Sequence, residues 1–124
     1  MCKLFIGADS DLWQPNTRSI RIDGFVTSVR LESFFWGTLA DIARRDGLSL
    51  GRLISRLYNE SIEEGHDIEN FTSFLRVCCS RYLSLQLAGE IPRDINTPIG
   101  SLDADGILSR ERKRHAKPVH SSAL

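Results

Sequence analysis

The apolar positions of this chain recur with a period of two or of about 3.6, and the switch between them marks where strand gives way to helix. Residues 25–32 alternate. Phe25, Thr27, Val29 and Leu31 fall on one side, and Val26, Ser28 and Arg30 on the other. Upstream, Ser19-Ile20-Arg21-Ile22 alternates as well, and the intervening Asp23-Gly24 is the favoured two-residue type I′ hairpin signal. The spacing predicts Ile22 opposite Phe25, Ile20 opposite Thr27, and Arg21 beside Val26 on the outer face. Residues 1–6 read as a short strand or a tucked arm, and residues 7–16 as a loop with Trp13 and Pro15 as anchors.

A helical period begins directly after the second strand. Residues 33–46 carry Phe35, Leu39, Ile42 and Ala43 on one face, with Glu32 or Ser33 as cap and Gly47 placed for a left-handed C′ position. A second helix restarts at Ser49, its natural N-cap, with Leu48 able to staple onto Leu53. Leu50, Leu53, Ile54, Leu57, Tyr58 and Ile62 supply its stripe, and Gly65 ends it. A third helix runs from Asn70 to about residue 87 with Phe71, Phe74, Leu75, Cys78, Tyr82 and Leu85 on its apolar face, stopped by Gly89 and Pro92. Beyond this no period is visible. The fold class expected is mainly α with a short β-ribbon, divided into an N-terminal arm (1–17), a folded domain (18–88) and a flexible tail (89–124).

A strand edge left unpaired exposes a row of N–H and C=O groups. Pairing with the same strand of a second copy satisfies them and gives an antiparallel ribbon on a two-fold axis. The faces led by Leu39, Ile54 and Leu57 are expected to need that second copy as well, leaving no stable monomer. A two-stranded ribbon fits the major groove of B-DNA, and its outward face would offer Ser28 and Arg30 to base edges.

The overall charge balance, 16 basic against 16 acidic residues, hides an uneven distribution. From Arg18 to Arg56 the bases are Arg18, Arg21, Arg30, Arg44, Arg45, Arg52 and Arg56, against Asp23, Glu32, Asp41 and Asp46. Local sign, more than net charge, steers a polyanion. No apolar run approaches the roughly 20 residues of a membrane span, and the start lacks the basic-then-apolar order of a secretory signal, so a cytoplasmic protein is expected. Cys2, Cys78 and Cys79 lack framework spacing and read as reduced thiols. With only His66 as a distant companion they make no zinc pattern. Cys2 as an N-terminal nucleophile lacks any supporting constellation. No acid, base and nucleophile set stands out, so no catalytic residue, metal or cofactor is expected.

Strand, helix, Gly-Leu-Ser turn and second helix in this order resemble the ribbon-helix-helix superfamily, the Arc and methionine-repressor class. Thr27-Ser28-Val29-Arg30-Leu31-Glu32 followed by Phe35-Trp36, the turn Gly47-Leu48-Ser49 and the third-helix start from Asn70 to Arg76 look like its bacterial ribbon-helix-helix domain subfamily, over roughly residues 18–85. The resemblance implies an intertwined homodimer on double-stranded DNA. Val26, Ser28 and Arg30 would be the base-reading residues, and Ser49, Leu50, Gly51 and Arg52 the phosphate clamp at the second helix. The strand at 19–22 departs from the smallest members and would make a four-stranded sheet in the dimer.

In side-chain terms, Arg30 can bond guanine O6 and N7 together, Ser28 can serve any base, and Val26 can touch a thymine methyl. The free N–H groups and dipole at the second helix start favour phosphate. Against this, an exposed strand arginine is often only solvated, and Ser49 is a cap in any case. Phe34, Phe35 and Trp36 read as core and dimer packing. The basic run from Arg110 to Lys117 reads as a solvated tail adding at most non-specific affinity. The leading expectation is a homodimeric transcriptional regulator, a repressor. The alternatives are an antitoxin using its C-terminal region to hold a toxin, and a dimeric protein-interaction module without DNA binding.

Overall fold

The computed structural model describes residues 3–66 and 69–116. Cys2, Asp67, Lys117 and the rest of the expected tail after it lie outside the described residues. Asp23 and Gly24 both take positive φ, 51° and 84°, as a type I′ turn requires. They join β1 (Pro15–Ile22) to β2 (Phe25–Glu32). The antiparallel register sets Ile22 opposite Phe25, Ile20 opposite Thr27 and Arg21 opposite Val26, as the spacing predicts. β1 is longer than residues 19–22 and starts at Pro15, where a missing N–H is tolerated at a strand end. A two-residue loop closes on a hydrogen-bonded pair, and such pairs alternate with open ones. The main-chain groups of Phe25, Thr27, Val29 and Leu31 therefore bond across the hairpin. Those of Val26, Ser28 and Arg30 point out of its free edge.

Ile20, Ile22, Val29 and Leu31 turn inward and are buried against α2 (Ser33–Arg45), α3 (Leu50–Glu63) and α4 (Phe71–Leu87). Phe25 and Thr27 share that side but sit toward the hairpin tip and remain exposed, Phe25 at 78%. Leu31, Leu39, Ile54, Leu75 and Cys79 form the fully buried centre. This corrects the expectation that the Leu39 and Ile54 faces require a second copy. Both have no exposed surface in the single chain, because the hairpin and α4 complete the cluster around them; Leu57 is half-buried.

Helix ends follow the local signals in part. Gly47 adopts φ 66° after α2, and the Ser49 hydroxyl accepts from Arg52 N at 3.2 Å to cap α3. Glu32 occupies the α2 N-cap position without capping it. Its carboxylate instead accepts two hydrogen bonds from Arg76, at 2.9 and 3.2 Å, tying α4 to the strand–helix corner. The Arg76 guanidinium thereby holds the Glu32 carboxyl below its ordinary 4.5. The N-terminal segment is a helical turn, α1 (Lys3–Ile6), followed by a 3₁₀ turn Ser10–Trp13, and not a strand. Leu4, Phe5, Ile6 and Trp13 are all more than half exposed.

The largest difference from expectation lies after Gly89. Ile91 and Ile107 are buried with Tyr82 and Leu85 in a second apolar cluster, flanked by Ile42, Ile99 and Leu102. Ile107 belongs to α5 (Ala104–Arg114), capped by the Asp103 carboxylate on Gly106 N. Arg81 grips Glu111 through two hydrogen bonds, and Arg110 bonds Glu90 at 2.6 Å. The segment through residue 116 is therefore built into the domain rather than a flexible tail. Its few apolar residues are too irregularly spaced to show a period, yet Ile91, Ile99, Leu102 and Ile107 gather with Tyr82 and Leu85 of α4 and Ile42 of α2. Among the described residues no helix is long and apolar enough to cross a membrane.

Candidate nucleic-acid interface

Opposed residues of an antiparallel pair share a face. Val26, Ser28 and Arg30 therefore share the outer face with Arg21, Ser19 and Thr17 of β1. All six are exposed, Val26 at 63%. The structure thus brings the three strand candidates together and adds a second row from β1.

The α3 candidates divide. Ser49, Gly51 and Arg52 reach the surface, whereas the Leu50 side chain packs against the core and can contribute only its amide. Since Ser49 Oγ takes Arg52 N and the Ser49 carbonyl takes Leu53 N at 3.0 Å, the amides of Leu50 and Gly51 are the first-turn donors left open among the described residues. Gly51 has no neighbour within 4 Å of a would-be Cβ, so the helix surface at that position is open.

The seven arginines between positions 18 and 56 do not act alike. Arg18 lies over the Trp36 ring at 4.8 Å, Arg44 pairs with Asp41 at 3.4 Å, and Arg45 is buried at 6% exposure. Arg21, Arg30, Arg52 and Arg56 are exposed and, among the described residues, pair with no carboxylate. Three of these four, Arg21, Arg52 and Arg56, line one open groove of about 630 Å³ with Ser49 and Gly51. Glu60 and Glu63 close its far end. A hydrogen bond from Asn59 Nδ2 to Asp23 Oδ1, 3.2 Å, ties the hairpin turn to α3 and so sets Arg21 beside the helix. Sequence reasoning did not assign Arg21 and Arg56 to the site. The outward register of Arg21, and the i, i+4 spacing of Arg52 and Arg56 on α3, were the available signals.

The thiols stand apart from this surface. Burial pushes Cys78 up to about 11 and Cys79 up to about 12, and Cys79 Sγ contacts the Phe35 carbonyl at 3.6 Å. Among the described residues no group of three or more His, Cys, Asp or Glu could hold a metal ion.

A ribbon-helix-helix domain model matches residues 15–83. The solved structure of an uncharacterized protein from Bordetella pertussis Tohama I superposes with a TM-score of 0.83 at 45% sequence identity, covering 97% of this chain and 91% of that one. That likeness extends past residue 83 into the C-terminal segment. No curated protein matches. Ribbon-helix-helix domains are generally DNA-binding regulators or antitoxins, and typically non-enzymatic. With the hairpin, the helix-turn-helix and most of α4 inside the matched span, the chain belongs to the ribbon-helix-helix domain family.

Proposed function

We propose that the protein is a sequence-specific, cytoplasmic transcriptional repressor that binds a palindromic operator as a homodimer. Its β2 strands pair across the two-fold axis through the free edge of Val26, Ser28 and Arg30. The side chains of the same residues read the major groove, while the open amides of Leu50 and Gly51, with Ser49 and Arg52, hold a phosphate. The observation that carries this reading is the set of four arginines around the outward ribbon face and the α3 start that pair with no carboxylate among the described residues, the other arginines of that region being engaged within the chain.

The extra strand fits the scheme by position. In a four-stranded sheet the two β1 strands lie about 14 Å apart, against a groove about 12 Å wide. They would ride at the groove walls, where Arg21 meets phosphate instead of base edges. Selection from random duplexes, followed by affinities at several salt concentrations, tests the proposal. A palindromic consensus and a steep salt slope are expected. Light scattering at micromolar concentration should give a dimer; a folded monomer that binds no duplex would refute the scheme.

The exposed Leu4, Phe5, Ile6 and Trp13 favour one second reading, a dimeric protein-interaction module. It predicts a dimer whose retention on DNA is weak and shows no sequence preference.

A further inference from the structure

Two adjacent residues at the end of α2 grip a loop some fifty positions away. Arg45 donates from Nε to the Thr97 carbonyl at 3.0 Å, from one terminal nitrogen to the Asp94 carbonyl at 2.9 Å, and from the other to the Tyr82 hydroxyl at 3.1 Å. Asp46 accepts from Ile99 N at 2.6 Å and Gly100 N at 3.0 Å. A guanidinium at 6% exposure without a carboxylate is costly unless its N–H groups are satisfied, so the carbonyls of residues 94 and 97 are required where they are. The fit is close: a Cβ on Gly100 would lie 3.3 Å from Asp46 Oδ2.

Arg45 and Asp46 lead directly into the turn that starts α3. Only Gly47, Leu48 and Ser49 separate Asp46 from the open amides of Leu50 and Gly51. The loop that grips this turn is anchored on both sides, by Ile91 in the second cluster and by α5 through Glu90–Arg110 and Arg81–Glu111. The family match ends at residue 83, so the loop and α5 lie outside the matched span, while Arg45, Asp46, Arg81 and Tyr82 lie inside it.

We propose that the segment from Asp94 to Gly100 is a brace for the phosphate clamp. Through Arg45 and Asp46 it fixes the α2–α3 turn, and loosening it weakens the hold on the DNA backbone while leaving base preference untouched. Arg45 and Asp46 are positioning residues; neither contacts DNA. The proposal rests on the clamp reading above, and its test separates the two.

In the full-length protein, Asp46→Ala is compared with Gly100→Ala, which disturbs the same contact from the loop side, 54 positions distant. Loss of one such hydrogen bond corresponds to about a fivefold change in an equilibrium constant. Asp46→Ala should weaken affinity about fivefold to twentyfold for preferred and random duplexes alike, with their ratio unchanged. Gly100→Ala should do the same to a smaller degree, and Asp46→Asn, which keeps one acceptor, should fall between. Hydrogen exchange at the amides of Arg52 and Leu53, which bond the Ser49 hydroxyl and carbonyl, should speed up in each variant while the melting temperature changes by only a few degrees. If Asp46→Asn and Gly100→Ala both leave exchange at 52 and 53 and duplex affinity at wild-type values, the brace is refuted. Should the wild-type chain bind no duplex, the regulator reading fails on its own, and exchange at 52 and 53 decides the brace.

Discussion

Replacing Ile107 by Ala removes three carbons from a side chain 8% exposed, packed in the cluster with Tyr82, Leu85 and Ile91. At about 0.8 kcal/mol per buried carbon the transfer loss is about 2.4 kcal/mol. A residual cavity raises the sum, and the surface position of α5 lets part of it collapse, giving about 3 kcal/mol. With an unfolding entropy of about 2.1 cal/mol/K per residue, a chain of this length loses roughly 10 °C in melting temperature. Far-UV circular dichroism reads the melt, and hydrogen exchange at residues 107–114 reads the docking of α5 directly. Leu87→Ala is the internal control: that side chain is 84% exposed, and a surface change of this kind should cost within about 0.5 kcal/mol. A loose tail predicts no difference between the two variants. If Ile107→Ala melts within 1 °C of wild type and the α5 amides exchange at open-chain rates, the C-terminal segment is not part of the cooperative unit. The reasoning from the second cluster would then be refuted.

Arg30→Ala should relax preference at one base position and cost about 1–3 kcal/mol per half-site, whereas Arg52→Ala, Arg21→Ala and Arg56→Ala should weaken all sequences similarly and lower the salt slope; a selection experiment repeated with each variant distinguishes the two patterns. The carboxyls of Glu32, Glu90 and Glu111 are held below 4.5 chiefly by hydrogen bonds from Arg76, Arg110 and Arg81 respectively. A depressed carboxyl contributes stability above its unfolded value and loses it as pH falls through the folded one. The melting temperature should therefore be level from pH 8 to pH 5 and drop only below pH 4.5, and a drop beginning near neutrality would contradict these pairings. Cys78 and Cys79, pushed up to about 11 and 12, should resist alkylation at pH 8 in the folded chain and react once denatured; rapid labelling of the native protein, followed by peptide mass analysis, is the opposing result.

The hairpin was legible because its determinants are local. Asp23-Gly24 fixes the turn, the turn fixes the register, and the register fixes which side chains share a face. The three principal helices were legible for the same reason, since glycine at 47 and 65 and the Ser49 cap act within a few residues. Depth was less so. Cys79, not Cys78, is the fully buried thiol, and Thr38 is buried on a helix whose 3.6 period favoured Phe35 and Ile42. One face of a helix cannot reveal how many neighbours it has. The C-terminal segment was hidden because what holds it is long-range: a few scattered apolar contacts, two bonds to Asp46, two from Arg45 and ion pairs between α5 and its neighbours. None of these has a sequence period. The proposed clamp residues Ser49 to Arg52 could be named from the sequence, whereas the placement of Arg21 and Arg56 in the same groove depends on the approach of hairpin and helix.

At Val26, Ser28 and Arg30 the main chain points out of the hairpin's free edge, and the side chain out of its outer face. In the proposed dimer their amides and carbonyls form the ladder, and their side chains meet the bases. Ladder formation depends on the backbone and tolerates most side chains, so these three positions are free to change recognition without changing assembly. Lineages carrying this hairpin can therefore diverge in operator while keeping one mode of dimerisation, and heterodimers between diverged copies should form readily and recognise hybrid half-sites. Proline is the exchange that removes this freedom, because it deletes the edge N–H along with the side chain.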